Sequence, residues 1–274
     1  MNKTATLVLN RNLPDITNTL YESLQKHNGD LTDLYVIESG SSKDKLSKYC
    51  SFWANWEESL AHGLRYPRGF NYGLLQLLES KKYDQYDYFF LVCNDSVFEP
   101  KPIVGTLLQE MTTHPRVGIL SPCSEKWGER SLLKDQQTKY FWHINHVAWF
   151  VRRSYIDSVR QLDNPTHLNF LYDGDNFRGY ESDIELIAKG YANDWASAVT
   201  SKVRVEENED LLKTRFEAMK TDDFRTNREK VFQEGNRWLR RKYGFNHRWT
   251  MQMYAKFFYD KFFEFYPQLS AFKI

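Results

Sequence analysis

The chain has 274 residues, a formal net charge of +1 at pH 7 and an aromatic content of 16%. This length suits one large α/β domain with an appendage and is sufficient to bury a substantial core. The near-neutral charge argues against recognition of nucleic acid by a basic surface. The first ten residues lack a signal-peptide pattern, and no apolar run approaches the roughly 18 residues of a membrane span. Three widely spaced cysteines favour a cytoplasmic protein without disulfides.

Short apolar runs alternate with helical patterns in the first half of the chain. Runs rich in β-branched and aromatic residues predict strands, and apolar residues three or four apart predict helices. The predicted strands are 4–9, 34–37, 88–92 and 117–120, and the predicted helices are 14–26, 70–78 and 103–111. This order predicts an α/β fold that is Rossmann-like, with a mostly parallel central sheet and helices on both faces.

The second half of the chain has a less regular pattern. We expect strands at 146–151 and 198–205, a helix at 152–159 and a polar, aromatic loop at 164–178. A short helix should span 181–190, and the chain from about residue 213 onward is charged and helical in pattern. The pattern indicates a domain over residues 1–212 with a helical C-terminal extension, residues 213–274, packed on it.

The segment from Gly179 to Tyr191 places acids at the start of that short helix. Ser182 followed by Glu185 has the spacing of a capping box, which predicts a helix start with Ser182 as the cap. Asp183 then lies in the first turn, where a carboxylate is held rigidly and stays ionised, as a general base requires. These acids equally suit a structural role against the helix dipole, and the segment alone leaves both interpretations open.

Polar clusters follow three of the predicted strands. They are Asn10-Arg11-Asn12, Glu38-Ser39-Gly40-Ser41 and Cys93-Asn94-Asp95-Ser96. Ligands of open parallel sheets bind beyond the carboxyl ends of the strands, so we expect the clusters to meet at one edge. The Asp95 carboxylate suits a hard cation such as Mg²⁺ or Mn²⁺, and Glu38 suits hydrogen bonds from a base or ribose. The chain has no GxGxxG or Walker motif, which argues against dinucleotide and P-loop sites.

In chain order, these segments resemble those of family 2 glycosyltransferases, which have the GT-A fold and build bacterial surface polysaccharides. Residues 6–10 resemble the family's first strand, and residues 35–42 resemble its V-V-D-N-G-S segment. Residues 68–73 resemble the helix start that follows. Residues 90–96 resemble the D-x-D metal motif, and residues 182–186 resemble the E-D-x-D-L base motif. The resemblance covers roughly residues 4–210.

The resemblance implies an inverting enzyme that moves a sugar from a nucleotide-diphosphate sugar, a UDP-sugar by default, to a hydroxyl of a glycan or lipid-linked acceptor. It implies Asp183 as the catalytic base, with Glu181 beside it as the second candidate. Asp95 matches the metal motif, which implies weak, nucleotide-dependent binding of Mn²⁺ or Mg²⁺. The implied nucleotide contacts are Asn10, Asn12, Glu38, Ser39, Arg68, Asn71 and Asn94, and the implied sugar or acceptor contacts are Trp142, His143 and His146.

Two motifs depart from the family pattern. Cys93 replaces the first acid of the metal motif, and Ser182 replaces the first acid of the base motif. Where a metal-ligand histidine is expected, the chain has Glu206, Glu207 and Asn208. The alternative function is therefore a catalytically impaired binder of sugar nucleotides or glycans on the same fold. Donor hydrolysis without an acceptor separates the two.

The C-terminal stretch 251–265 has apolar residues at helical spacing, at Met251, Tyr254, Ala255, Phe258, Phe262 and Phe265. Four basic residues precede it: Arg237, Arg240, Arg241 and Lys242. A basic, aromatic helix of this kind packs on its own domain, on a second copy of the chain, or on the inner face of an anionic membrane. The sequence leaves both a homodimer and peripheral membrane contact open.

Overall fold

The computed structural model describes residues 3–144 and 146–274, apart from the side chains of Glu129 and Leu212. The strands in this part of the chain are β1 Thr4–Asn10, β2 Thr32–Glu38, β3 Cys50–Trp53, β4 Tyr88–Cys93, β5 Ser96–Phe98, β6 Val117–Cys123, β7 Thr138–Tyr140, β8 Ala148–Arg152 and β9 Ala196–Glu207. The α-helices are α1 Pro14–Asn28, α2 Glu57–His62, α3 Arg65–Glu79, α4 Val104–Thr113, α5 Arg153–Val159, α6 Ser182–Ala192, α7 Asp210–Thr214, α8 Phe224–Tyr243 and α9 Arg248–Phe265.

Four neighbouring strands form a parallel half of the sheet in the order β3-β2-β1-β4. β8 follows β4 and is antiparallel both to it and to β6. β9 is parallel to β6 and continues far enough to pair with β5 and β7. Because β1, β2 and β4 are parallel neighbours, their carboxyl ends lie at one edge, where Asn10 and Glu38 are register partners. The predicted α/β architecture is confirmed.

The core forms where apolar strands meet amphipathic helices. β1 is buried along its whole length, as expected for a continuous apolar strand covered on both faces. Leu20 and Leu24, one turn apart, are the buried side of α1. The end of α1 also fixes the start of α4, because Asn28 Oδ1 accepts hydrogen bonds from the backbone N–H groups of Ile103 and Val104 at 2.8 and 2.9 Å.

Several short elements escaped the sequence pattern, among them β3, β5, β7 and α2. β3 and α2 are too brief and too polar to show a period, and their backbone is ordered by neighbours instead. Ser51 Oγ accepts a hydrogen bond from Val36 N at 3.1 Å, which ties β3 to β2. The helix predicted at 70–78 begins earlier, at Arg65, so that its first turn reaches the edge where the strand ends meet.

The C-terminal extension packs against α6. The buried side of α9 consists of Met251, Ala255, Tyr259, Phe262 and Phe263. At the end of α8, Lys242 Nζ lies 2.7 Å from Glu185 Oε1, and Tyr243 Oη donates to the same oxygen at 2.5 Å. The division at residue 212 stays a prediction, and α7 runs across it. None of the helices within the described residues is both long and apolar enough to span a bilayer.

Candidate active site

A cleft of ≈ 160 Å³ opens beyond the carboxyl ends of β1 and β4. Its lining includes Asn10, Arg11, Ser39, Arg65, Tyr66, Cys93, Asn94, Asp95, Met219 and Thr221. The cleft thus brings together four predicted site residues from three separate strand ends. The polar strand ends meet as expected for ligand binding in an open parallel sheet.

A chain of hydrogen bonds runs under this cleft. Asn94 Nδ2 donates to Asn10 Oδ1 at 3.0 Å, and Asn10 Nδ2 donates to Glu38 Oε2 at 2.9 Å. Glu38 is fully buried, and its carboxylate also accepts bonds from Ser41 Oγ and from the backbone N–H of Ser47. The carboxylate that we expect to contact a nucleoside therefore holds the loop after β2 in place.

Three other predicted nucleotide contacts support neighbouring loops. Asn12 Oδ1 accepts a hydrogen bond from the backbone of the loop after β2 at 2.8 Å. Arg68 Nε donates to the carbonyl oxygen of Gly174 at 2.8 Å. Asn71 is buried and exchanges hydrogen bonds with the backbone of Tyr172 at 2.8 and 2.9 Å. Arg68 and Asn71 consequently fix the 167–174 loop against α3, behind the cleft lining.

Asp95 lies at the end of the cleft near β9. Its Oδ1 is buried and has no hydrogen-bond partner within the described part of the chain. The backbone N–H of Asn208 donates to the Asp95 carbonyl oxygen at 2.8 Å, which brings Glu207 alongside. Burial and then the negative charge of Glu207 raise the pKa of Asp95 to about 7. An orphaned oxygen beside a second carboxylate fits a hard divalent cation.

The site offers such a cation few protein ligands. Among the described residues, no three His, Cys, Asp or Glu side chains form a metal cluster. The neighbouring Glu206 is turned away, since its carboxylate accepts bonds from Ser124 Oγ and Glu125 N at 2.8 and 2.9 Å. A cation held by Asp95 and Glu207 would need oxygen atoms of a bound ligand to complete its shell.

α6 begins without the predicted capping box. Glu181 occupies the cap position with φ of 58°, and Ser182 is already helical. Ser182 Oγ donates to the Gly179 carbonyl oxygen at 2.8 Å rather than capping the helix. The capping prediction is wrong because a left-handed residue at 181 turns the chain into the helix one position earlier. Asp183 nevertheless lies in the first turn, as predicted.

Tyr66 separates the cleft from the start of α6. Its hydroxyl donates to the Gly179 carbonyl oxygen at 2.6 Å. Gly179 has φ of +79°, and a Cβ there would lie 2.3 Å from the Tyr66 ring, so only glycine fits. Burial and then the charge of Asp183 raise the pKa of Tyr66. Tyr66 therefore stays protonated between the cleft and the candidate base.

Burial and a neighbouring charge favour the protonated form of Glu181. Its Oε2 is buried without a hydrogen-bond partner among the described residues. Burial and then the charge of Asp183 raise the pKa of Glu181 to about 8, against a hydrogen bond from Gln252 and the charge of Arg248 on α9. At neutral pH Glu181 is mainly protonated, and a protonated carboxyl cannot accept a proton.

The predicted sugar or acceptor residues divide into two places. His146 stacks on Tyr66 with ring centroids 5.0 Å apart, and burial lowers its pKa to about 3. It is therefore a neutral ring behind Tyr66. Trp142 lies beside α9, with Lys256 Nζ 5.1 Å from its ring centroid. His143 also lies on this side, where burial and then the charge of Arg248 lower its pKa.

The sequence analysis missed several residues of the cleft and its border. They are Arg11, Arg65, Tyr66, Glu207, Arg248 and Gln252. A signal existed for Arg11, which stands inside a polar strand end, and for Glu207, which lies in the segment that replaces the expected histidine. Arg248 and Gln252 had none, because only the folding of α9 back onto α6 brings them to Glu181.

A mixed sheet with a parallel half and helices packed on it is the architecture of the GT-A fold. GalNAc-T7, solved with UDP, GalNAc and Mn²⁺, matches with a TM-score of 0.58 and 10% identity, over 98% of this chain and 58% of that one. The mannosyltransferase PcManGT from Pyrobaculum calidifontis, solved with GDP-Man and Mn²⁺, matches with a TM-score of 0.54 and 12% identity, over 87% and 64%.

TarS from S. aureus is a third similar structure, with a TM-score of 0.53 and 11% identity, over 86% of this chain and 43% of that one. This chain therefore spans less than two thirds of the length of each of the three. At these identities the likeness concerns the fold, and the predicted GT-A fold is confirmed. No protein-family model and no curated protein matches the sequence.

Proposed function

We propose that the protein is a family 2 glycosyltransferase that moves a sugar from a nucleoside-diphosphate sugar to an acceptor hydroxyl with inversion. The observation that carries the proposal is the arrangement around Tyr66. On one side lies a polar cleft at the strand ends, and on the other lies Asp183 in the first turn of α6. A donor in the cleft would expose its anomeric carbon toward the acids of α6.

Asp183 is the proposed general base. As the acceptor oxygen forms its bond to the anomeric carbon, its proton passes to Asp183 and the carbon–oxygen bond to the diphosphate breaks on the opposite face. One displacement of this kind inverts the configuration. General-base assistance contributes typically ~10²–10⁴-fold. Because Glu181 is mainly protonated at neutral pH, it is better suited to donate a hydrogen bond than to take the proton.

Asp95 and Glu207 would hold a divalent cation, Mn²⁺ or Mg²⁺, with phosphate oxygens of the donor. When bound, the cation stabilises the negative charge of the diphosphate leaving group. Two carboxylates, with no third His, Cys, Asp or Glu ligand in the described part of the chain, favour binding that is weak unless the nucleotide is present. Asn10, Ser39 and Asn94 are proposed to contact the nucleotide directly, while Asn12, Glu38, Arg68 and Asn71 order the surrounding loops.

The acceptor is proposed to approach between α6 and α9, beside Trp142 and His143. One row of α9 side chains, Arg248, Gln252 and Lys256, borders this side. The next row around the helix is apolar and exposed: Trp249 is 60%, Met253 65% and Phe257 56% exposed. Residues 237–257 contain six Lys or Arg and no Asp or Glu, and three of these cations, Arg241, Lys242 and Lys256, pair with acids outside the segment. Apolar and cationic rows side by side match an amphiphilic, anionic partner.

We therefore propose that this exposed row of α9 lies on an anionic membrane, peripherally at its cytoplasmic face, and that the acceptor is lipid-linked. A second copy of the chain fits less well, since two such surfaces would bring like charges together. Aromatic side chains insert at the headgroup level, and each Lys or Arg near an anionic surface contributes about 1 kcal/mol. The chain's three cysteines, Cys50, Cys93 and Cys123, are widely spaced, which supports a reducing compartment.

Vesicle flotation tests the surface. Binding to phosphatidylcholine vesicles should appear only when phosphatidylglycerol is included, and Trp249→Ser with Phe257→Ser should abolish it. Leu162→Ser is the matched control, because Leu162 is 66% exposed elsewhere on the chain. A mass that doubles with concentration and returns to the monomer in the double variant would instead assign the surface to a homodimer.

Turnover of a sugar-nucleotide panel tests the activity. We expect release of nucleoside diphosphate from at least one donor, with UDP-sugars tried first, and acceleration by a lipid-linked or glycan acceptor. A protein that binds donors but neither hydrolyses nor transfers them would be the binding protein of the alternative interpretation.

A further inference from the structure

Two arginines line the cleft without a carboxylate partner. Arg11 follows β1, and Arg65 is the first residue of α3. Within the described residues, neither guanidinium forms an ion pair, and both bond to neutral groups of a later segment. Arg11 Nε donates to the Met219 carbonyl oxygen at 2.7 Å, and Arg65 Nη2 donates to Thr221 Oγ1 at 2.5 Å.

The two positive charges are poorly solvated. Nη1 of Arg11 is buried and has no hydrogen-bond partner among the described residues. Burial lowers the pKa of Arg11 to about 10. Burial, and then the charges of Arg178 and Arg11, lower the pKa of Arg65 to about 10. Two guanidinium groups that repel each other away from water are unfavourable unless an anion joins them.

The acids nearest to this pair already have another partner. Arg178 Nη2 lies 2.8 Å from Asp222 Oδ2, and Arg178 Nε lies 3.1 Å from Glu234 Oε2. Arg178 thus occupies the carboxylates that would otherwise neutralise Arg65. Arg11 and Arg65 remain as the cationic wall of the cleft.

The backbone adopts left-handed conformations next to Arg11 and at Arg65. Gly63 has φ of +71°, and a Cβ there would lie 1.6 Å from Arg11 Nη1, so the absent side chain makes room for the guanidinium. Arg65 itself has φ of 54°, a left-handed conformation that a non-glycine residue adopts only when its surroundings require it. Strain of this kind is concentrated at binding sites.

We propose that Arg11 and Arg65 bind the diphosphate group of a nucleotide and that this contact forms without a metal ion. Guanidinium forks pair with phosphate oxygens, and such charge-assisted bonds are stronger than bonds to a carbonyl or hydroxyl oxygen. A diphosphate therefore replaces Met219 and Thr221 as the partner. The inference rests on the proposed function and deepens it, since it names the residues that hold the donor's leaving group. Their positive charges would compensate for weak metal binding where Cys93 replaces an acid.

Calorimetry with inorganic pyrophosphate in EDTA tests the inference, because this probe has neither base nor sugar. The wild-type chain should bind pyrophosphate, and Arg11→Gln or Arg65→Gln should weaken binding about 10-fold or more, as loss of a charge-assisted bond implies. Arg215→Gln is the matched control, because Arg215 belongs to the same segment as Met219 but pairs with Asp15 at 3.3 Å.

A second variant keeps the test informative should the arginine variants fail to fold. Thr221→Val removes the hydroxyl that competes for Arg65 and leaves the arginine intact, so pyrophosphate should bind several-fold more tightly. Binding that requires Mn²⁺ and is indifferent to Arg65→Gln and Thr221→Val would overturn the inference while leaving glycosyl transfer intact. Metal-free binding through the arginines, with no turnover of any sugar nucleotide, would uphold the anion site and refute the proposed function.

Discussion

The hydroxyl of Tyr66 on α3 lies 2.5 Å from Oγ of Ser182, the first residue of α6. This contact joins the helix that borders the cleft to the helix that carries the candidate base. It also explains why Ser182 does not cap α6, since its hydroxyl is already bonded to Tyr66 and to Gly179. The Tyr66 hydroxyl therefore helps to set the position of Asp183 relative to the cleft.

Tyr66→Phe should test that dependence. The variant keeps the ring stacked on His146 but loses the hydrogen bonds to Gly179 and Ser182. Its free energy of unfolding should therefore be lower by about 1–3 kcal/mol. Tyr72→Phe on the same helix is the control, because the Tyr72 hydroxyl forms no hydrogen bond within the described residues. Urea denaturation of both measures the difference, and equal stability of the two variants would contradict a structural role for the contact.

Asp183→Asn preserves the shape of the side chain but cannot accept the acceptor's proton. Turnover should fall about 10²-fold or more, while donor affinity stays near wild type. Glu181→Gln should retain most activity at pH 7, because Glu181 is already mainly protonated there. Steady-state kinetics and donor titration of both variants separate the roles. If Asp183→Asn kept near-normal turnover and Glu181→Gln lost it, Glu181 would be the general base instead.

Glu207→Gln should weaken nucleotide binding only when a metal is present. Removing one of two carboxylates around the cation should reduce UDP affinity in Mn²⁺ by roughly 10-fold, and affinity in EDTA should not change. Asp95→Ala should behave in the same way. Glu206→Gln is the neighbouring control, because its carboxylate bonds Ser124 and Glu125 instead. Equal losses with and without Mn²⁺ would mark Asp95 and Glu207 as structural.

The raised pKa of Glu181 predicts a pH-dependent stability. Between its unfolded pKa near 4.5 and its folded pKa of about 8, the native state binds more protons than the unfolded state. The free energy of unfolding should therefore decrease as pH rises through this window. Glu181→Gln should remove that part of the decrease, so its stability relative to wild type grows toward pH 8. Denaturation of the wild type and of Glu181→Gln at several pH values measures this difference, with exposed Glu57→Gln as the control. If Glu181 were solvated, the difference in stability between Glu181→Gln and the wild type would not change with pH.

The strand ends were predicted well because buried parallel strands are continuous apolar runs. The change from apolar to polar residues marks the end of each strand in the sequence. Asn10, Glu38 and Asn94 consequently appear together, linked by hydrogen bonds. The capping box failed because the Ser182 hydroxyl is bonded to Gly179 and to Tyr66 on a distant helix, a contact that no local pattern contains. For the same reason the pairing of Arg11 with Met219, more than 200 residues later, was not predictable.

The contacts between the end of α8 and α6 limit how the C-terminal extension can be replaced in protein engineering. Lys242 reaches both Asp173 and Glu185, and Tyr243 shares Glu185, which is 1% exposed at the heart of α6. A tail grafted from another protein would remove Lys242 and Tyr243 and leave Glu185 with Lys189 of its own helix as its ion-pair partner within the described residues. The C-terminal helices and α6 should therefore be transplanted into chimeras as one unit.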